Sequence, residues 1–156
     1  MSRLQHVPVG AMDPHRFASV ISPEEYQGLL ELIDNGARAL SGRVIWNVNS
    51  TAKGGGVAEL LRPLLGYSRG AGVDVRWVVI SGDADFFVIT KRLHNHLHGF
   101  DGDRGALSAP EKVIYERSLA GNAAELAKLI HPHDVVILHD PQTAGLVNAV
   151  SSAGRR

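Results

Sequence analysis

VIWNVNSTAKGGGVAELL, residues 44–61, holds an apolar run, a polar loop, three consecutive glycines and an amphipathic run. Residues 43–48, RVIWNV, are rich in β-branched and aromatic side chains and read as a strand. From about Gly56 to Arg69, Val57, Leu60, Leu61, Leu64 and Leu65 recur at helical spacing, with Pro63 inside predicting a kink. Strand, glycines, helix is the opening half of a βαβ unit. Two readings of Gly54, Gly55 and Gly56 stand side by side. They make a tight turn demanded by helix–sheet packing, or they let a phosphate or sugar approach the backbone closely.

Working outward, Ser22, Pro23 and Glu25 mark a helix start with a capping box, and Leu29, Leu30, Ile33 and Ala37 give that helix an apolar stripe. Residues 1–21, broken by Pro8, Gly10 and Pro14, read as an irregular segment. Downstream, 73–80 is a second strand, and Asp83 or Asp85 starts a helix running through Leu97. Pro110 opens another helix, expected to be interrupted near Gly121. Residues 134–140, DVVILHD, form a third strand that is almost wholly apolar, as a buried parallel strand should be. A short helix follows from Pro141. Strands alternating with long helices predict an α/β, Rossmann-like parallel sheet with helices on both faces, and ligands in such folds sit at the carboxyl ends of the strands.

The chain has 156 residues, the size of one domain, with no internal repeat. Lys+Arg and Asp+Glu each number 16, so the formal net charge is zero, which argues against a nucleic-acid partner or a basic membrane-surface patch. No apolar stretch approaches membrane-spanning length and there is no secretory pattern at the start, so a cytoplasmic location is expected. Cysteine is absent, removing disulfides, thiolate metal sites and cysteine nucleophiles.

Two polar segments fall at strand ends. In NSTAKGGG, residues 49–56, a helix starting on glycines points free N–H groups and its positive dipole end toward the loop. Asn49, Ser50 and Thr51 suit hydroxyls, and Lys53 adds charge. The P-loop pattern fails because Lys53 precedes the glycines, and the dinucleotide pattern fails because Glu59 stands at its last position. In LHDPQTAG, residues 138–145, Asp140 and His139 can meet sugar hydroxyls; alternatively Asp140 or Gln142 caps the next helix. His94, His96 and His98 lack a carboxylate partner, so no metal is assigned to them. Asp101 and Asp103 lie in a glycine-rich loop without the glutamate a calcium loop needs. Nothing marks a protein nucleophile or a hydrolase carboxylate pair, and no residue is singled out as catalytic.

NSTAKGGGVAE, then GDADFF and ITK followed by HN, then HDPQ, in that order, closely resemble trehalose synthases of retaining glycosyltransferase family 4. Trehalose phosphorylases look similar here. The resemblance covers about residues 20–150. It implies the N-terminal, acceptor-side half of a GT-B architecture, with residues 1–156 as one incomplete Rossmann-like domain and the C-terminal donor-binding domain absent. It further implies that Gly54, Gly55 and Gly56 face donor phosphates, that Asn49 and Ser50 line the cleft, and that His139, Asp140 and Gln142 contact sugar hydroxyls. The expected substrates are glucose and a nucleotide sugar, with no separate cofactor and no metal. The chain by itself is expected to be inactive, and a homodimer is compatible with it. A non-catalytic sugar-binding or assembly module is the rival from another class.

Overall fold

The computed structural model describes residues 3–100 and 105–153. The elements are β1 (Leu4–Val7), a 3-10 turn (Pro14–Ser19), α1 (Pro23–Ala39), β2 (Ile45–Asn49), α2 (Gly56–Gly70), β3 (Val75–Ile80), α3 (Ala84–Leu97), α4 (Ala109–Leu129), β4 (Val135–Leu138), α5 (Asp140–Ala144) and α6 (Val147–Ala153). The sheet order is β1-β3-β2-β4. β3, β2 and β4 are parallel, and β1 runs antiparallel along β3 with Leu4 opposite Ile80.

Alternation along the strands builds two cores. Val75, Trp77 and Val79 face Ala58, Leu61 and Leu65 of α2. On the other face, Trp46, Val48, Val78 and Ile80 meet Phe86 of α3, Leu119 and Leu126 of α4, and Leu146. Helices therefore cover both faces, as expected. After β2 the chain crosses by α2 to β3 on one side; after β3 it crosses by α3 and α4 to β4 on the other. The carboxyl ends of β2 and β4 thus flank the point where strand order reverses, where α/β folds open a crevice.

Three expectations are corrected. Residues 3–21 are not irregular throughout: Leu4–Val7 form a strand, because β3 offers a free edge that outweighs the weak local signal of four residues. α4 is not broken at Gly121 but continuous, its start held by a capping box of Ser108 and Glu111. β4 is not deeply buried. It is an edge strand, half-buried along its length, with Ile137 42% exposed. Pro63 sits inside α2 without ending it.

Candidate functional site

A crevice of about 440 Å³ opens at the carboxyl ends of β2 and β4, lined by Asn49, Ser50, Thr51, the three glycines, Lys91, His94, Asp140 and Gln142, among others. The two polar segments that sequence placed on one rim are therefore brought together.

The glycine loop is shaped by its backbone. Gly54 and Gly55 have φ of 71° and 81°, the left-handed region that side chains resist. A Cβ placed on Gly54, Gly55 or Gly56 would meet nothing within 4 Å. Helix–sheet packing thus does not require these glycines, which answers the first of the two readings. Chain reversal explains Gly54 and Gly55. Gly56, without positive φ and without a crowding neighbour, needs neither. What its missing side chain leaves is open space above the first turn of α2. No side chain caps that helix, and its N-cap is Gly55. The first N–H groups therefore face the crevice with a positive dipole end behind them.

Asn49 lines the crevice but spends its amide internally. Its Oδ1 accepts the Trp77 indole N–H at 2.7 Å, and its Nδ2 donates to the Thr51 carbonyl at 2.7 Å. Thr51 Oγ1 donates to the Lys53 carbonyl at 2.6 Å and accepts from the Lys53 N–H at 3.2 Å, folding the loop back on itself. Lys53 is not among the crevice residues and lines instead a neighbouring depression shared with Glu59 and Arg62. The cation at the crevice is Lys91 of α3, with His94 one turn on. His94 also stacks on His98, ring centroids 4.2 Å apart. The sequence assigns His94 no metal and gives neither it nor Lys91 a role, although both stand in the ITK and HN motifs, because their closeness to the glycines arises from how α3 packs. Their i, i+3 spacing on one helix face was the available signal. Among the described residues no group of three His, Asp or Glu side chains is placed to hold a metal. Asp101 and Asp103 lie outside the described residues.

On the opposite wall, Asp140 begins α5 with φ of 65°, a left-handed conformation that aspartate tolerates better than most residues. Neither Asp140 nor Gln142 caps the helix: its N-cap is His139, without a side-chain bond. The capping alternative therefore fails, and Asp140 is exposed at the crevice. Gln142 Oε1 is buried at the crevice wall without a hydrogen-bond partner among the described residues. A buried acceptor of this kind calls for a donor. His139 is absent from the crevice lining. Its Nε2 donates to Asn47 Oδ1 at 3.0 Å on the neighbouring strand. Burial lowers its pKa below the ordinary histidine value, with Asp140 pulling the other way, so the ring is neutral near pH 7.

Fold and crevice together define a Rossmann-like domain with its cleft at the carboxyl edge of a parallel sheet. A family model described as the N-terminal domain of trehalose synthase matches residues 47–156. The trehalose synthase of Rubrobacter xylanophilus is 38% identical over 141 residues, covering 90% of this chain and 32% of that protein. That of Pyrococcus horikoshii is 37% identical over 131 residues, 84% of this chain and 30% of that protein. A trehalose phosphorylase of Pleurotus pulmonarius is 31% identical over 104 residues, 64% of this chain and 14% of that protein. The chain belongs to the trehalose synthase family, one of glycosyl-transferring enzymes, and corresponds to its N-terminal domain. It spans 32% and 30% of the length of the two trehalose synthases.

Proposed function

We propose that this chain is the acceptor-side domain of an enzyme that forms trehalose, moving glucose from a nucleotide sugar to a second glucose with retention. The observation that carries this reading is Gly56: it is a glycine that neither backbone conformation nor internal packing demands, at an open helix start facing Asp140 and Gln142. As the nucleotide leaves, charge grows on its phosphate, and fixed N–H donors stabilise that charge more in the transition state than in the ground state. The amides at Gly54–Gly56 supply such donors, with Lys91 adding a positive charge. Ser50 and Asp140 take sugar hydroxyls, and Gln142 Oε1 accepts one. Asn49 sets the loop. His139, held by Asn47 outside the crevice lining, backs the Asp140 turn and acts on the sugar only through that turn.

On this reading the nucleotide sugar is a substrate, no resident cofactor is used, and the donor pocket belongs to a second domain. The chain alone then binds substrate without turnover. It works in the cytoplasm; in the structure, no helix among the described residues is long and apolar enough to cross a membrane. Similarity to a trehalose phosphorylase supports a second reading, in which inorganic phosphate replaces the nucleotide.

The test is a chimera joining this chain to the remaining two-thirds of the Rubrobacter xylanophilus enzyme, given glucose with either a nucleoside diphosphate glucose or glucose 1-phosphate. Trehalose from the nucleotide sugar is expected. A folded chimera that yields trehalose from neither donor, while the isolated chain still binds glucose by NMR, points to a non-catalytic binding module.

A further inference from the structure

A second polar cleft, about 430 Å³, lies at the carboxyl end of β3, on the side away from β2. Arg3, Ser81, Gly82, Asp83, Arg117 and Ser118 line it. Its walls are held with care. Ser81 N–H donates to the Arg3 carbonyl at 3.1 Å and to Asn122 Oδ1 at 3.0 Å. Asn122, fully buried, returns its Nδ2 to the carbonyls of Ser81 and Ser118, each at 2.9 Å. The turn after β3 is thereby clamped to the middle of α4.

Arg3 is placed by a missing side chain. A Cβ on Gly121 would stand 2.8 Å from both Cδ and Nε of Arg3. A glycine inside a long helix weakens it, and here the gap lets the arginine stem lie flat against α4. The Glu125 carboxylate accepts the Arg3 backbone N–H at 2.8 Å, fixing the start of that stem. Neither guanidinium, that of Arg3 nor that of Arg117, forms an ion pair or hydrogen bond with a described residue. The Asp83 carboxylate is engaged, accepting the Phe86 N–H at 2.8 Å as the cap of α3.

A separate observation points the same way. Ser118 is 6% exposed, and its Oγ has no hydrogen-bond partner among the described residues. A buried hydroxyl without a partner is costly, and native structures rarely keep one that nothing fills. Two guanidinium forks without a described partner, Arg3 just before β1 and Arg117 on α4, line one cleft with an orphan hydroxyl buried in its wall, a set that suits a ligand with several acceptor oxygens. A tetrahedral phosphoryl group has that shape, and arginine forks recognise it in pairs of bonds.

We propose that this cleft is an oxyanion site that takes a phosphoryl group through Arg3, Arg117 and the Ser81 and Ser118 hydroxyls. It is distinct from the glycine-loop crevice, and a small phosphorylated molecule bound there would sit on the same rim of the sheet. Amide NMR titration of the chain tests it, with inorganic phosphate in one arm and a hexose phosphomonoester in the other, at constant ionic strength in chloride. Saturable shifts at Arg3, Ser81, Gly82 and Ser118 are expected in at least one arm. The tighter arm names the source, free ion or ester. Arg117→Ala, on an exposed side chain, should weaken that binding at least about tenfold. Ser118→Ala should weaken it while leaving the melting temperature equal or higher, because an orphan hydroxyl is removed. Shifts absent in both arms, confined to Gly54–Ala58, or indifferent to Arg117→Ala would overturn the proposal. So would a Ser118→Ala protein that melts lower yet binds phosphate unchanged.

Discussion

At the amino ends of β2 and β4, one carboxylate ties the start of β2 to the turn before β4 through three bonds; at their carboxyl ends, polar groups stand open. Asp134 accepts the Val44 N–H at 3.0 Å, the Trp46 indole N–H at 3.1 Å and the His131 N–H at 2.9 Å. Burial works to raise its pKa, but those three donors outweigh it and hold the carboxyl below the usual aspartate range. Across the sheet the glycine loop leaves a helix start uncapped, Asp140 sits in a left-handed conformation, and Gln142 Oε1 has no partner among the described residues. Internal bonding at one rim and vacant donors and acceptors at the other separate residues that hold the fold from residues kept for a ligand. The two sets should respond oppositely to substitution.

The largest effect belongs to the closed rim. Asp134→Ala orphans three donors, and with bonds to a charged acceptor worth about 1.5 kcal/mol each but partly replaced by water, a loss of about 3 kcal/mol in denaturant unfolding is expected. A loss under about 1 kcal/mol would erase the contrast between the rims. Next is Gly55→Val, which forces a β-branched residue into positive φ and should cost about 2 kcal/mol. Since a Cβ there meets nothing, any larger loss would reveal a packing role that the geometry does not show. Gly56→Ala sharpens the comparison most. In the first turn of α2 alanine should leave stability unchanged or raise it by up to about 1 kcal/mol. In the chimera it should nonetheless cut trehalose formation about tenfold or more, because the added methyl group keeps a phosphate oxygen from closing on an amide that the substitution itself retains. Unimpaired turnover would refute the role given to the loop.

The smallest effect is a pH slope. His139 has a folded pKa depressed by burial below its unfolded value near 6.5. Its contribution to stability is therefore present above about pH 6.5 and is lost as pH falls through the folded pKa, because the unfolded chain binds the extra proton. Melting temperature should drop between pH 7 and 5, with a shallower drop in His139→Gln. Parallel curves for the two proteins would remove His139 from the account.

What sequence made legible here was local. The strand, the glycines and the helix after them are neighbours in the chain, and each carries its own signal: β-branching, positive φ, helical spacing. β1 was hidden because its four residues are a strand by virtue of β3's free edge, a partner far along the chain. Lys91 replaced Lys53 as the cation at the crevice for a similar reason. Nearness in sequence suggested one, and the packing of α3 delivered the other. His139 was expected in the crevice beside Asp140, yet successive residues at a strand end point to different places, and the partner that turned it toward Asn47 lies on the next strand. Gln142, by contrast, does line the crevice, since α5 follows β4 after a single residue and little can blur its position.

The indole bonds carry one more consequence. Trp77 ends on Asn49, a wall of the crevice, whereas Trp46 ends on Asp134 at the far rim, and both rings are buried. The domain thus contains two fluorophores, one wired to each end of the sheet. Occupancy of the crevice should alter the emission of Trp77 and leave that of Trp46 alone, so a Trp46→Phe protein would report ligand entry optically, with no added label.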